Sequence, residues 1–269
     1  MTTDQPLVDS HFHVYTTDMP LAPTAWHRPP EDATIERALE TLDQHGVTFG
    51  VIAAASLYGD YNDYMLEAVR RHKRLRATAI VKPTVERHTL EALDQAGFVG
   101  IRLMFRRVPD PPDIGGPEYR MLLRRIADLG WHVHINDDGA RLPRPIAALE
   151  AAGVKLVIDH FGFPDPTEGV NGAGFRATLA AIERGRTWVK LSGGYRVNPP
   201  EAAKLYAAEL LKVAGGERLL WGSDWPFAAF EKSVTYASTV AALADWVPDV
   251  AVRRQITGET PLRLYFARC

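Results

Sequence analysis

The sequence predicts an α/β fold, a single (β/α)8 TIM-like barrel, on three observations. Apolar, β-prone runs alternate with helix-patterned segments along the whole chain, the rhythm of a parallel sheet. Eight such units fit into about 250 residues, the usual size of a closed barrel. Histidines and an aspartate gather at or near the ends of these runs, where a barrel collects its functional residues.

The first run spans 7–14 and carries His11-Phe12-His13. A polar, proline-containing stretch follows to Pro30, then Asp32 as the expected N-cap of an amphipathic helix that reaches about His45 and is closed by Gly46. Residues 47–55 are continuously apolar, as expected of a strand buried on both faces, and end at Ser56. Tyr61-Asn62-Asp63-Tyr64 starts the next helix, and Lys73-Arg74 leads into a strand at 75–82. Further strands are expected at 98–104, 131–136, 154–159, 187–192 and 218–223. Helix ends marked by Gly97, Gly130, Gly153, Gly185 and Gly216 run into them. The proline-rich stretch Pro109 to Pro117 reads as a strand-to-helix loop over the active face. A doubly wound open sheet competes, but its phosphate-binding glycine fingerprint is absent after the first strand. No linker or break in composition divides the chain, so one domain is expected over residues 1–269.

Composition narrows the function classes. The chain has 269 residues, 46% of them hydrophobic, and no apolar run near the length of a membrane span, which points to a soluble globular protein. A net charge of −2 without a Lys/Arg block argues against nucleic acid or an anionic membrane as the main partner. The N-terminus lacks a basic segment followed by an apolar one, so a cytoplasmic location is the default expectation. Cys269 is the only cysteine, which excludes an internal disulfide and a thiolate zinc cluster; any metal must be held by His, Asp or Glu. A homo-oligomer is left open.

In a strand, side chains at i and i+2 share a face, so His11 and His13 can converge on a metal or a substrate carbonyl. A solvent-facing pair on an edge strand is the plain alternative. His132 and His134 lie on the fifth strand, facing either the lumen or the helix layer; His160 ends the sixth and Asp224 the eighth. Such a set can hydrolyse a bond in two ways. An imidazole-bound ion can lower the pKa of water, or histidines can polarise a carbonyl while a carboxylate takes the proton. Asp224 is the base in both, against the alternative of a helix cap before Pro226.

Arg102, Arg106, Arg107 and Arg196 can offer guanidinium forks to carboxylates. Arg102 interrupts an apolar strand, so it should meet a substrate anion or a structural carboxylate. Lys190 is similarly placed and can point into the same lumen; Ser56, Tyr58, Ser192 and Tyr195 are candidate hydroxyl donors at strand ends. His27, His45, His72 and His88 read as solvated and are assigned no role.

The motifs Val-Asp-Ser-His-Phe-His from Val8, Val-Ile-Asp-His-Phe-Gly-Phe-Pro from Val157, Trp-Gly-Ser-Asp-Trp-Pro from Trp221 and the closing Gly258 to Tyr265 resemble the amidohydrolase superfamily. More narrowly they are similar to its amidohydrolase 2 type and the lactonase branch typified by 2-pyrone-4,6-dicarboxylate lactonase. The resemblance implies a distorted barrel that opens a cyclic ester. His11, His13 and His160 would contact the scissile carbonyl or a metal, and Asp224 would activate water. Binuclear members carry a bridging lysine carbamate or glutamate at the end of strand four, where this chain has Ile101-Arg102-Leu103-Met104-Phe105. The expectation is therefore no cofactor or a single divalent ion, zinc or manganese, with His11, His13, His134, His160 and Asp224 as its candidate ligands. The expected substrate is a small anionic cyclic ester. A zinc-dependent non-oxidative decarboxylase of an aromatic or unsaturated acid is the alternative enzyme, and a ligand-binding barrel without catalysis the third reading.

Overall fold

A computed structural model describes residues 5–267; Cys269 and the first four residues lie outside them. Eight parallel strands run in sequential order: β1 Leu7–Phe12, β2 Val47–Ala53, β3 Leu75–Ala79, β4 Phe98–Met104, β5 His132–Asn136, β6 Lys155–Ile158, β7 Thr187–Leu191 and β8 Leu219–Trp221. Helices α1 Ile35–Gln44, α2 Asp63–Arg71, α3 Arg87–Ala96, α4 Pro117–Asp128, α5 Pro143–Ala151, α6 Ala173–Glu183, α7 Ala202–Ala214 and α8 Tyr236–Trp246 follow the strands in turn. A short α9, Val250–Arg254, leads into wide turns at 255–259 and 262–266. This is the expected barrel. Among the described residues no helix is long and apolar enough to cross a membrane.

Two boundary differences have local causes. Thr34, not Asp32, caps α1: its side chain accepts from Arg37 N at 3.2 Å, whereas the Asp32 carboxylate accepts from Thr17 N and Oγ1 at 2.7 Å each. β3 stops at Ala79 because the Asn62 side chain takes over both backbone groups of Ile80, donating to its carbonyl at 2.8 Å and accepting from its N–H at 3.3 Å. Of the histidines expected to be solvated, His88 is exposed. His27 is instead tied to Glu231 at 2.6 Å, and the His45 ring packs on Tyr236. The proline-rich loop does join β4 to α4, with Pro117 in the helix's first turn.

The lumen is layered. Val8, Val51, Val99, Val157 and Leu220 form an apolar floor against Tyr265. Above it the interior is polar, with Arg102, His134 and Lys190 all buried. Lys190 on β7 touches side chains of both β1 and β5, contacts made across the lumen.

The barrel has one seam, between β8 and β1, where no strand ladder forms among the described residues. Gly222 lets the two segments close: a Cβ there would lie 2.4 Å from the His11 Cβ. The Asp9 carboxylate stands in for the missing ladder. Its Oδ1 accepts from His11 N and Ser223 N, both at 3.0 Å, and its Oδ2 from Tyr236 Oη at 2.9 Å. Just beyond, Asp224 N donates to His11 O at 2.7 Å and His13 N to Trp225 O at 2.8 Å. The seam therefore fixes His11, His13 and Asp224 relative to one another.

Burial pushes the Asp9 carboxyl up to about 6, against the pull of its hydrogen bonds from Ser223, His11 and Tyr236. The native state then holds a proton that the unfolded chain has released, so this group's stabilisation is full below about pH 4 and is lost as pH rises to about 6. A shift of this size is worth about 3 kcal/mol. Asp9→Asn carries no such proton, and its stability should gain on the wild type between pH 4 and 7. Urea unfolding of both proteins at the two pH values tests this; parallel profiles would remove Asp9 as the source.

Candidate active site

His11 lies in β1 and His13 just beyond it, Asp159 and His160 follow β6, and Asp224 follows β8, so all reach one mouth of the barrel. The turns that carry them are strained. His160, Phe161 and Phe163 after β6, and Asp224, Phe227 and Ala229 after β8, are non-glycine residues with positive φ, a conformation kept where surrounding structure enforces it. Gly193 makes room for the His160 ring: a Cβ there would lie 2.8 Å from its Nδ1.

Asp224 is 2% exposed and its two oxygens are treated differently. Oδ2 accepts from Tyr195 Oη at 2.7 Å and from Arg196 Nε at 2.6 Å. Oδ1 faces three imidazoles at longer range, His13 Nε2 at 3.4 Å, His11 Nε2 at 3.6 Å and His160 Nε2 at 3.9 Å. Burial alone would raise the carboxyl's pKa, but the Arg196 guanidinium outweighs it and holds the group well below the usual range. One oxygen is tied down and the other is open on an ionised carboxylate.

Beneath this lies a second charged cluster. The Asp159 carboxylate, fully buried, receives Arg102 Nε at 2.8 Å and stands 3.1 Å from Lys190 Nζ. Burial pushes Asp159 up, yet Lys190 and Arg102 prevail and keep it ionised. Burial draws the Lys190 amine down to about 8, with Asp159 opposing. His160 is pulled down to about 4 by burial despite Asp224 and Asp159, and His11 and His134 also lie well below their ordinary value, mainly through burial and the nearby Lys190 charge. At neutral pH these rings are neutral.

A cleft open to solvent sits over Asp224. His13, His160, Asp224, Ser56, Arg102, Arg106, Arg107 and Arg196 line it. His11 is completely buried behind that wall, and its contacts run to Asp224, Asp159, Lys190 and Arg102. Arg102 meets a structural carboxylate, Asp159, and gives a second bond to Ala54 O at 2.8 Å. Arg196 spends Nε on Asp224 and Nη1 on Ala228 O. Arg106 pairs with Asp138 at 3.1 Å and lies over the Phe163 ring. Arg107 lies over the Trp26 ring at 4.2 Å, and among the described residues no carboxylate pairs with it. Tyr58 is not on the cleft wall; it packs on Tyr15 and donates to Thr16 O at 3.3 Å. Tyr195 touches Asp224 rather than the cleft, and Ser192 holds His160 through Nδ1 at 2.8 Å.

Sequence reasoning left Asp9, Trp26 and Asn136 without a role, the last two of which also line the cleft. Asn136 was within reach of it, two residues after His134 and thus on the same strand face. Trp26 sits in an irregular loop with no period to read.

By spacing, ligand atoms of His11, His13 and Asp224 lie within 4.8 Å of one another, as do those of His11, Asp159 and His160. The site is compatible with no metal or with a single divalent ion. His134 joins neither group: its Nδ1 contacts Lys190 at 3.0 Å, below the mouth.

The amidohydrolase family profile matches residues 8–267. A 4-sulfomuconolactone hydrolase from Hydrogenophaga intermedia is 26% identical over 96% of this chain and 88% of its own length. A 2-pyrone-4,6-dicarboxylate hydrolase from Comamonas testosteroni is 29% identical over 96% of this chain and 90% of its own. A crystal structure from Acinetobacter baumannii, of a candidate 2-pyrone-4,6-dicarboxylic acid hydrolase with citric acid bound, superposes with a TM-score of 0.91 at 30% identity, covering 96% of this chain and 98% of that one. With its barrel, its seam-bound His-Phe-His and Asp224, and a profile match over nearly its whole length, this chain belongs to the amidohydrolase family.

Proposed function

We propose that this enzyme hydrolyses a carboxylated lactone, with Asp224 as the base that takes the proton of the attacking water. The observation that carries this reading is the asymmetry of Asp224. Tyr195 and Arg196 saturate Oδ2 and hold the group ionised, while Oδ1 faces His13 at the cleft wall. Water placed there has an acceptor on one side and the cleft on the other. His160 and Arg102 border the same space and supply polar contacts for the carbonyl oxygen as it gains charge. A single divalent ion, where bound, would be held by His11, His13 and Asp224 and would polarise that carbonyl as a Lewis acid.

Cleft chemistry and relatives together favour an anionic ring. Two relatives carry names of lactone or pyrone acids, and the Acinetobacter structure holds citrate, a tricarboxylate. Among the described residues Arg107 is the cleft arginine that no internal acid neutralises, and Ser56 accepts from Trp26 Nε1 at 3.3 Å, which leaves its own hydroxyl proton for a ligand.

A panel of lactones with and without acid groups, assayed on the wild type and on Asp224→Asn, tests the reading. The amide cannot take the proton, and turnover should fall by roughly two to four orders of magnitude with the fold intact. Wild-type rates in the variant would end the assignment, and release of CO2 without ring opening would replace hydrolysis by decarboxylation.

Arg196 yields a pH prediction with a definite sign. With the cation gone in Arg196→Met, the strongest support of the ionised form is lost and the Asp224 carboxyl rises. The acid limb of kcat/KM should move to higher pH than in the wild type, so activity is lost first in mild acid. An unmoved limb would show that Asp224 is not the titrating base.

Arg107→Ala should weaken kcat/KM for an acid-bearing lactone by about 1.5–3 kcal/mol, the range of a charged hydrogen bond, and leave its methyl ester largely unaffected. Equal losses on acid and ester would remove Arg107 from recognition.

A further inference from the structure

The two histidines of the first strand face the same carboxylate oxygen, yet their outer nitrogens are held by partners of opposite kind. His13 Nδ1 lies 2.7 Å from the Ala53 carbonyl, which can only accept, so the neutral His13 ring carries its proton on Nδ1 and turns the Nε2 lone pair to Asp224. His11 Nδ1 lies 2.9 Å from Lys190 Nζ. An ammonium has three donors and no acceptor. Around this one stand three acceptors, His11 Nδ1 at 2.9 Å, His134 Nδ1 at 3.0 Å and Asp159 Oδ1 at 3.1 Å. A proton on His11 Nδ1 would be pressed against an ammonium hydrogen at 2.9 Å, a nearer donor than Arg102 Nη2 at 3.5 Å from Nε2, so the neutral ring carries it on Nε2, towards Asp224 Oδ1 at 3.6 Å.

We propose that Lys190 and the Ala53 carbonyl lock His11 and His13 in opposite tautomers, and that Lys190 is thereby a positioning residue for the base. His11 presents N–H to Asp224 from the buried side, and His13 presents a lone pair from the cleft side. An entering water therefore finds two acceptors, Asp224 Oδ1 and His13 Nε2, and its own lone pairs are left to the carbonyl carbon. Metal binding runs the other way. An ion shared by His11, His13 and Asp224 needs a lone pair on both Nε2 atoms, so Lys190 opposes it by setting His11 as a donor. The inference rests on the hydrolytic reading for its chemistry, but its tests need no substrate, so the two fail separately.

Long-range 1H–15N correlation spectra of the wild-type imidazoles at neutral pH, with His11→Asn and His13→Asn spectra to assign the signals, read the tautomers directly. His11 should show a bare Nδ1 and a protonated Nε2, and His13 the reverse. Matching tautomers on the two rings would overturn the proposal. In Lys190→Met, His11 is free to protonate Nδ1 and donate to Asp159 Oδ1, 3.4 Å away. Zinc titrated by calorimetry should then bind about tenfold to a hundredfold more tightly than to the wild type, the usual effect of a partner behind a ligand. Zinc affinity that is equal, or higher in the wild type, would also overturn it. Should the variant not fold, the wild-type spectra still decide.

Discussion

A buried lysine and a buried arginine share one carboxylate at the centre of this barrel, and much of the site depends on that arrangement. Lys190, Arg102 and Asp159 are each 3% exposed or less, so each charge was removed from water. Such a cluster adds little net stability against an apolar core of the same shape, but deleting one member leaves an uncompensated charge at a cost of about 3–5 kcal/mol. Its value is positional. Lys190 reaches across from β7 to β1 and β5, and Arg102 from β4 to Asp159 beyond β6 and to Ala54 beyond β2. Six separate strand segments are thereby fixed under the mouth of the barrel by charges that have nowhere else to go.

The seam adds a second constraint of a different kind. A regular ladder between β8 and β1 would hold backbone to backbone and leave the side chains of Asp9 and Asp224 uninvolved. Here Asp9 supplies the acceptors, Gly222 supplies the space, and His11 O receives Asp224 N. The geometry of Asp224 and the histidines is thus written into the closure of the barrel itself. Loops can vary around such a mouth without moving it.

Legibility in the sequence followed how local the cause was. Strand–helix alternation and glycine helix ends are local, and the eight strands emerged within a few residues of their predicted places. His11, His13, His160 and Asp224 were legible because each ends an apolar run, and strand ends on one side of a barrel meet. The partners of the arginines were not. Arg102 required some partner, but whether substrate or Asp159 depended on β4 and β6 lying two strands apart across a lumen. Arg196 looked like a substrate fork and is largely spent on Asp224, 28 residues away. Asp32 looked like a cap and was claimed by Thr17 instead. In each case the residue's chemistry was read correctly and its nearest counter-group was set by packing.

In the role proposed for Asp224, as the base that takes the water's proton, these constraints reach function. A carboxylate buried this deeply would drift towards protonation, and a protonated base cannot serve. Arg196 and Tyr195 prevent that at a cost, since the same bonds that keep the group ionised make it a weaker base. A weak base suffices only when the electrophile is already activated and the water already aimed. A lactone carbonyl is a far better electrophile than an amide, and two acceptors aligned at the mouth orient water without adding base strength. The low basicity of Asp224 therefore fits the opening of a reactive cyclic ester, in which the leaving oxygen stays tethered to the product, better than the cleavage of an unactivated amide.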